Sequence, residues 1–291
     1  MKSGVKTEAL GVTAALVTLL SIMPLHAAQT TTADESQSMG RMQHQLKAER
    51  ADEIIGKPIL NPQGQRAGKL DNLVVDLESG RVLYAIVTLG GAITGETILV
   101  PPGILTTASN STNLVLNADN SSLTNAPRWS KAERANMGNI SFVNQIYQHF
   151  GVKPSWNGSA TPSGKDTFGA VEEARALMGS AVKTSANTNF GTIKDLVVDV
   201  PNAWLLYVVL SPKGELGRHG ELYPLPPAAI TKEPDGKTLM TTVDESKLQG
   251  APHFSKDSWP NLSDPSYAQQ VYQSYGKQAS FLGGMLSPTG R

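Results

Sequence analysis

The sequence predicts a mainly β protein of two small β-barrels in tandem, each closed by a short α-helix. Three observations carry that prediction. The first is an internal repeat. At an offset of 125 residues, Ala126-Pro127-Arg128-Trp129-Ser130-Lys131 falls on Ala251-Pro252-His253-Phe254-Ser255-Lys256, and Gln145 to Gly151 falls on Gln270 to Gly276. At an offset of 123, Gly68 meets Gly191, Leu73-Val74-Val75-Asp76 meets Leu196-Val197-Val198-Asp199, and Leu83-Tyr84 meets Leu206-Tyr207. A repeat of about a hundred residues is a whole domain rather than a solenoid turn. The second observation is a series of short β-branched runs punctuated by Gly and Pro, the grammar of a small barrel or sandwich. The third is one amphipathic stripe at the end of each repeat.

In repeat 1, Lys47 to Ile55 reads as a short helix running into Gly56, followed by a strand over Lys57 to Leu60 and a turn at Asn61 to Gln65. Lys69 to Leu77 and Arg81 to Leu89 read as the two long strands, joined by the turn Glu78-Ser79-Gly80. Both faces of Val74-Val75 and Ile86-Val87 are apolar, as in a compact barrel with little solvated surface. Thr97 to Val100, ended by Pro101-Pro102, and Asn113 to Leu116 complete the strands. Phe142, Val143, Ile146, Tyr147 and Phe150 form the helical stripe, and Gly151 stops it. Repeat 2 follows the same order, with strands near Ser180 to Val182, Thr192 to Val200, Trp204 to Leu210, Glu221 to Tyr223 and Thr238 to Thr241. Its closing helix is capped by Asp264-Pro265, carries Tyr267, Ala268, Val271, Tyr272 and Tyr275, and ends at Gly276.

These elements divide the 291 residues into a leader (1–27), a Thr-, Ser- and Gln-rich lead-in (28–46), domain 1 (47–151), a linker (152–168), domain 2 (169–276) and a loose tail (277–291). Pro and Gly in the linker imply limited coupling between the domains. Lys2 and Lys6, the apolar run Ala9 to Met23, the helix breaker Pro24 and the small residues Ala27-Ala28 have the three-part layout of a secretory signal peptide. The alternative is an uncleaved anchor, for which Ala9 to Leu25 is short and interrupted by Thr13, Thr18, Ser21 and Pro24. The 25 basic and 25 acidic residues balance, which argues against nucleic acid or an anionic membrane surface as partner. With no Cys in the chain, disulfides, thiol nucleophiles and cysteine zinc sites are excluded.

Gly56-Lys57-Pro58-Ile59, Gly68 through Asp76, and Gly80-Arg81-Val82-Leu83-Tyr84-Ala85-Ile86-Val87 together resemble a PRC-barrel domain. That family is named for the cytoplasmic domain of the H subunit of the photosynthetic reaction centre. Repeat 1 matches the whole pattern. Repeat 2 departs where Pro201-Asn202-Ala203 replaces Glu-Ser-Gly and where Leu210-Ser211-Pro212 interrupts the third strand. The resemblance implies adaptor barrels that dock on other proteins, one type on a membrane electron-transfer complex and another on a ribosomal protein. It speaks for fold more than for function.

Candidate chemistry is sparse. Asp76 and Asp199 stand at equivalent strand ends, where they are either polar anchors for a partner or cation, or turn residues accepting backbone N–H groups; turn chemistry is what two diverged copies would share. No two of His44, His149, His219 and His253 have helical metal-ligand spacing, so no metal site is expected. There is no Gly-x-Ser-x-Gly elbow, and Gly90 to Gly95 lacks the Lys of a phosphate loop. Ser130 has capping-box spacing to Glu133. Trp129, equivalent to Phe254, and Trp156 in the linker are the aromatic candidates for partner binding, with packing onto the barrel as the other reading of Trp129. The sequence thus predicts no enzyme, cofactor or metal. It predicts an exported, periplasmic or secreted binding or scaffold protein of the bacterial cell envelope, with a protein partner. Two alternatives stand beside it: a membrane-anchored accessory subunit of a redox or photosynthetic complex, and an envelope hydrolase or small-ligand binder using a groove between the barrels.

Overall fold

The β-branched runs become strands because each finds a neighbour that buries its side chains and satisfies its backbone. A computed structural model describes residues 46–90, 95–107, 113–154, 166–214, 220–233 and 235–282. The expected leader, the lead-in up to residue 45, and Trp156 lie outside the described residues.

Repeat 1 comprises β1 (Glu49–Arg50), α1 (Ala51–Ile54), β2 (Pro58–Leu60), β3 (Arg66–Asp76), β4 (Arg81–Leu89), β5 (Thr97–Val100), β6 (Leu105–Thr107), β7 (Leu114–Leu116), α2 (Asn120–Thr124) and α3 (Ile140–His149). Repeat 2 comprises β8 (Val171–Glu173), α4 (Ala174–Leu177), β9 (Ala181–Lys183), β10 (Asn189–Asp199), β11 (Trp204–Pro212), β12 (Glu221–Leu225), β13 (Ile230–Lys232), β14 (Leu239–Thr241), α5 (Glu245–Gly250), β15 (Phe254–Ser255) and α6 (Pro265–Ser274).

Each repeat is built on one long antiparallel hairpin, β3–β4 or β10–β11, and both hairpins slip register at the same places. In repeat 1 the slips fall between Leu70 and Asn72 and between Val74 and Val75. In repeat 2 they fall between Ile193 and Asp195 and between Val197 and Val198. Bulges increase the local twist, so the hairpin curls instead of lying flat. The curled hairpin is flanked by β2 in repeat 1 and β9 in repeat 2, which pair in parallel with β7 and β14. Close strand crossing explains a shared glycine. A Cβ on Gly68 would sit 2.4 Å from the Thr88 carbonyl oxygen, and one on Gly191 2.5 Å from that of Ser211.

The barrel strands are apolar on both faces because both faces are covered. One face of the β3–β4 hairpin looks into the main core; the other, with Val74, Tyr84 and Ile86, packs under Val143, Ile146 and Tyr147 of α3. Tyr84 meets Phe142 edge-on at 6.3 Å, and its counterpart Tyr207 meets Tyr267 of α6 at 6.4 Å. At about 25 cal/mol per Å² of apolar surface, covering this second face contributes several kcal/mol per helix.

The structure differs from expectation at four points. Leu210-Ser211-Pro212 do not interrupt the third strand of repeat 2: β11 runs unbroken to Pro212, with Ser211 opposite Thr192 and Pro212 opposite Gly191, since a proline at a strand's end costs the ladder little. Lys47 to Ile55 is not one helix: Glu49 and Arg50 form a strand, and only Ala51–Ile54 are helical. The reason lies in the other repeat, since β1 pairs with β10, Glu49 opposite Val198 and Arg50 opposite Val197. Reciprocally, β8 pairs with β3, with Glu172 opposite Val75 and Glu173 opposite Val74. The coupling between repeats is therefore extensive rather than limited. The two central hairpins also join directly: the Val82 amide donates to the Ala203 carbonyl at 3.0 Å, and the Leu205 amide to that of Gly80 at 2.9 Å. One sheet runs through both repeats, and one core extends from Leu46 to Leu282. Finally, the start of the expected tail is packed. Ser280–Leu282 form a 3-10 turn with Phe281 and Leu282 buried, Phe281 lying 5.9 Å from the Trp204 ring.

Two predictions follow from this exchange and from one strained turn. Half-chains covering residues 44–154 and 166–291 should co-purify as a 1:1 complex, whereas each alone should be unfolded or self-associated by size-exclusion and circular dichroism; a folded monomeric half would contradict the shared sheet. Ala203 holds the left-handed conformation (φ 58°) that Gly80 holds at φ 64° in repeat 1. Ala203→Gly should therefore raise stability in urea melts by about 0.5–1 kcal/mol, since a non-glycine residue there costs about 1–2 kcal/mol and glycine returns part of that as chain entropy.

Candidate functional site

The polar groups buried in this fold gather at the two crossings where one repeat receives the leading strand of the other. The bulge after Leu70 turns Asn72 inward, and the bulge after Ile193 does the same for Asp195. Both side chains are buried, at 5% and 0% exposure. Asn72 Oδ1 accepts the Arg175 amide at 3.2 Å, in the first turn of α4, and its own neighbour's amide, Leu73, at 3.0 Å. Asp195 Oδ1 accepts the Asp52 amide at 3.1 Å, in the first turn of α1, and the Leu196 amide at 2.8 Å. Neither Arg50 nor Glu173, the residues in the N-cap positions, caps its own helix through a side chain. Each four-residue helix is thus capped from the other repeat, satisfying a donor that would otherwise be orphaned.

The pairing is completed by charge. Asn72 Nδ2 donates to Glu173 Oε2 at 2.8 Å, while Glu173 Oε1 also takes Arg134 at 2.7 Å. On the other side Arg50 Nε donates to Asp195 Oδ2 at 2.9 Å, and the Arg50 guanidinium lies 4.1 Å from the centre of the Trp259 ring. Burial pushes the Asp195 carboxyl up to about 6 even with Arg50 attached, because removing the charge from water outweighs the bond.

Asp76 and Asp199 sit one turn further along. Asp76 Oδ1 accepts the Ala170 amide at 2.8 Å, and Oδ2 accepts the Ser79 amide at 3.1 Å. Asp199 Oδ2 accepts the Lys47 amide at 3.0 Å, and Oδ1 accepts the Asn202 amide at 3.3 Å. Each therefore binds its own turn and also the opposite repeat. Burial raises the Asp199 carboxyl above its ordinary range, against the pull of these bonds. At the middle of the interface Arg81 stacks on Trp204, 3.3 Å from the ring centre, and burial lowers the guanidinium to about 10.

Trp129 lies elsewhere, half-buried over the second face of repeat 1, 6.4 Å from Tyr84 and with Arg134 at 6.0 Å. Its counterpart Phe254 is buried against Trp259 at 4.7 Å. Ser130 Oγ accepts the Glu133 amide at 3.4 Å, as its spacing predicted. His149 bonds the Ser122 carbonyl, and His253 stacks on Tyr223, so each described histidine has a local partner. Among the described residues no group of three or more His, Asp or Glu side chains could hold a metal ion.

Open concavities lie beside α3 (about 490 Å³, with Arg128, Glu133 and Gln145), between the repeats (about 200 Å³, with Gly80, Trp204 and Phe281) and at the two barrel ends. A cleft of about 960 Å³ in repeat 1 is lined by the β2–β3 turn, including Asn61, Gln63 and Arg66, by Leu89, and by Asn117 to Asn120 with Leu123 and Thr124. Its counterpart in repeat 2, bounded by Thr184 and Met240 to Glu245, is about 300 Å³. The larger presents amides and an apolar floor together with Arg66 and Asp119, and the smaller presents threonine hydroxyls together with the adjacent carboxylates of Asp244 and Glu245. Asp119, the carboxylate of the larger cleft, is engaged as the cap of α2, where the Ser122 amide holds its pKa down to about 2. Asn72, Asp195 and Arg50 were not singled out from the sequence. The repeat offset that pairs Asn72 with Asp195 was the available signal.

Removing either strand-end carboxylate should loosen the junction. Asp76→Ala and Asp199→Ala should each cost about 2–4 kcal/mol in urea unfolding, since each strands buried amides from both repeats. A loss below about 0.5 kcal/mol would mark them as surface turn residues.

A family model described as PRC-barrel domain matches residues 47–123 and again residues 170–248, together more than half of the chain. The search of curated proteins found no match. Each matched segment begins at or beside the amide held across the junction, Lys47 or Ala170, and runs through one barrel to the short helix that follows β7 or β14. The chain belongs to the PRC-barrel domain family and carries that domain twice.

Proposed function

We propose that this protein is a non-enzymatic binding or scaffold protein, exported to the bacterial cell envelope by residues 1–27 and engaging a protein partner. The observation that carries the reading is the deployment of its polar groups. Asn72, Asp76, Asp195 and Asp199 are spent on joining the two barrels, and the broad cleft of repeat 1 offers amides over an apolar floor. Such a surface can recognise a partner by hydrogen bonding and shape. A rigid two-barrel body with unequal clefts suits an adaptor that presents one face strongly and the other weakly. No helix among the described residues is long and apolar enough to cross a membrane.

The test is fractionation of the native protein with intact-mass determination of its N-terminus, followed by crosslinking of the recovered form. A soluble periplasmic chain beginning near Ala28, whose crosslinked partner is lost on Gln63→Ala with Arg66→Ala, is the expected result. A full-length chain in the membrane fraction would replace this reading with the anchored subunit of a redox or photosynthetic complex.

A further inference from the structure

The two junctions share their strand pairing but not their charges, and at one pair of equivalent positions a carboxylate keeps its place while its cation does not. In the β8–β3 junction Glu172 lies opposite Val75, and Lys232, at the end of β13, reaches it. Lys232 Nζ is 2.6 Å from Glu172 Oε2 and 3.4 Å from the Val171 carbonyl oxygen. In the β1–β10 junction the counterpart of Glu172 is Glu49, opposite Val198. The counterpart of Lys232 is Thr107: Lys232 stands opposite Leu239 in β13–β14, as Thr107 stands opposite Leu114 in β6–β7. The second junction keeps the carboxylate and has a hydroxyl in place of the ammonium. Both ends of the lost pair show it, since Glu49 Oε2 and Thr107 Oγ1 are buried without a hydrogen-bond partner.

The other charges around Glu49 do not replace that lysine. Asp199 on β10 and Glu53 on α1 repel its ionised form, while Lys57 ahead of β2 and Lys47 ahead of β1 attract it. Burial, reinforced by Asp199 and Glu53, outweighs the two lysines and raises the carboxyl from 4.5 to about 7. By contrast Glu172 has a direct ion pair.

We propose that Glu49 is a proton-operated latch: protonated, it lets the leading strand of repeat 1 dock on repeat 2, and ionised, it loosens that strand, while the Lys232-neutralised junction of β8 stays closed. The sign follows from linkage. The docked state holds a proton at Glu49 that the open state releases, so the stability it contributes is full below pH 4.5 and is lost as pH rises through about 7. Nothing in this depends on where the protein resides.

Hydrogen exchange on the full chain, corrected for intrinsic rates, tests it by comparing residues 47–54 with residues 170–177 at pH 6 and pH 8. In the wild type, opening of 47–54 should increase on the order of tenfold over this range while 170–177 stays constant. Glu49→Gln, which keeps the shape and removes the titration, should abolish the increase. Thr107→Lys, which restores the missing ammonium, should protect 47–54 relative to the wild type more at pH 8 than at pH 6, and should give no protection in the Glu49→Gln background, where the ammonium has no carboxylate to meet. A Glu49→Gln protein that keeps the wild-type pH response overturns the proposal, whatever Thr107→Lys does.

Discussion

A short segment that ends in four helical residues cannot satisfy its own backbone, and that constraint shapes this protein. Residues 47–54 and 170–177 each combine a brief strand with a single helical turn, and neither has a side-chain cap of its own. Their amides go to the opposite repeat: Lys47 to Asp199, Asp52 to Asp195, Ala170 to Asp76 and Arg175 to Asn72. An unpaired buried amide costs about 1–3 kcal/mol, so each repeat depends on the other to complete its first element. The barrel hairpins, the bulges that aim Asn72 and Asp195 inward, and the strand-end aspartates all serve that exchange.

The interface has the form of an isologous dimer whose two copies share one chain. A true homodimer would oppose each residue to its own copy at the symmetry axis. Here the residue at the axis is Arg81 in one repeat and Trp204 in the other, and they stack where two arginines would repel. The same freedom appears off the axis. Asn72 faces Glu173 on one side, and Asp195 faces Arg50 on the other, so acceptor and donor have exchanged places. Duplication in a single chain allows the two halves of each contact to differ, and at Glu49 and Thr107 that divergence left a carboxylate without its cation.

The division of labour between interior and surface bears on function. Charge buried at the junctions is committed to structure, and the described tryptophans are also occupied: Trp204 and Trp259 carry arginines from repeat 1, and Trp129 lies over the closing helix layer. Outwardly the repeats differ in the size of their barrel-end clefts, about 960 Å³ against about 300 Å³, and repeat 1 has a further concavity of about 490 Å³ beside α3.

The repeat, the strand-rich grammar and the closing helices were legible in the chain because they are local. Hydrophobic periodicity, turn residues and the offset of 123 to 125 residues are properties of neighbouring positions. The Asp76 and Asp199 turn bonds were legible for the same reason, since the Asp-to-turn geometry spans three residues. The strand at Glu49 and Arg50 was not, because an amphipathic segment before a glycine reads as helix until a partner strand over a hundred residues away claims its backbone. Nor could the sequence say that Asn72 and Asp195 cap helices in trans, or that Arg81 would lie on Trp204. Local composition determined what each element could be; only the tertiary structure decided which repeat completed it, because buried backbone groups are satisfied by whatever is near in space, not in sequence.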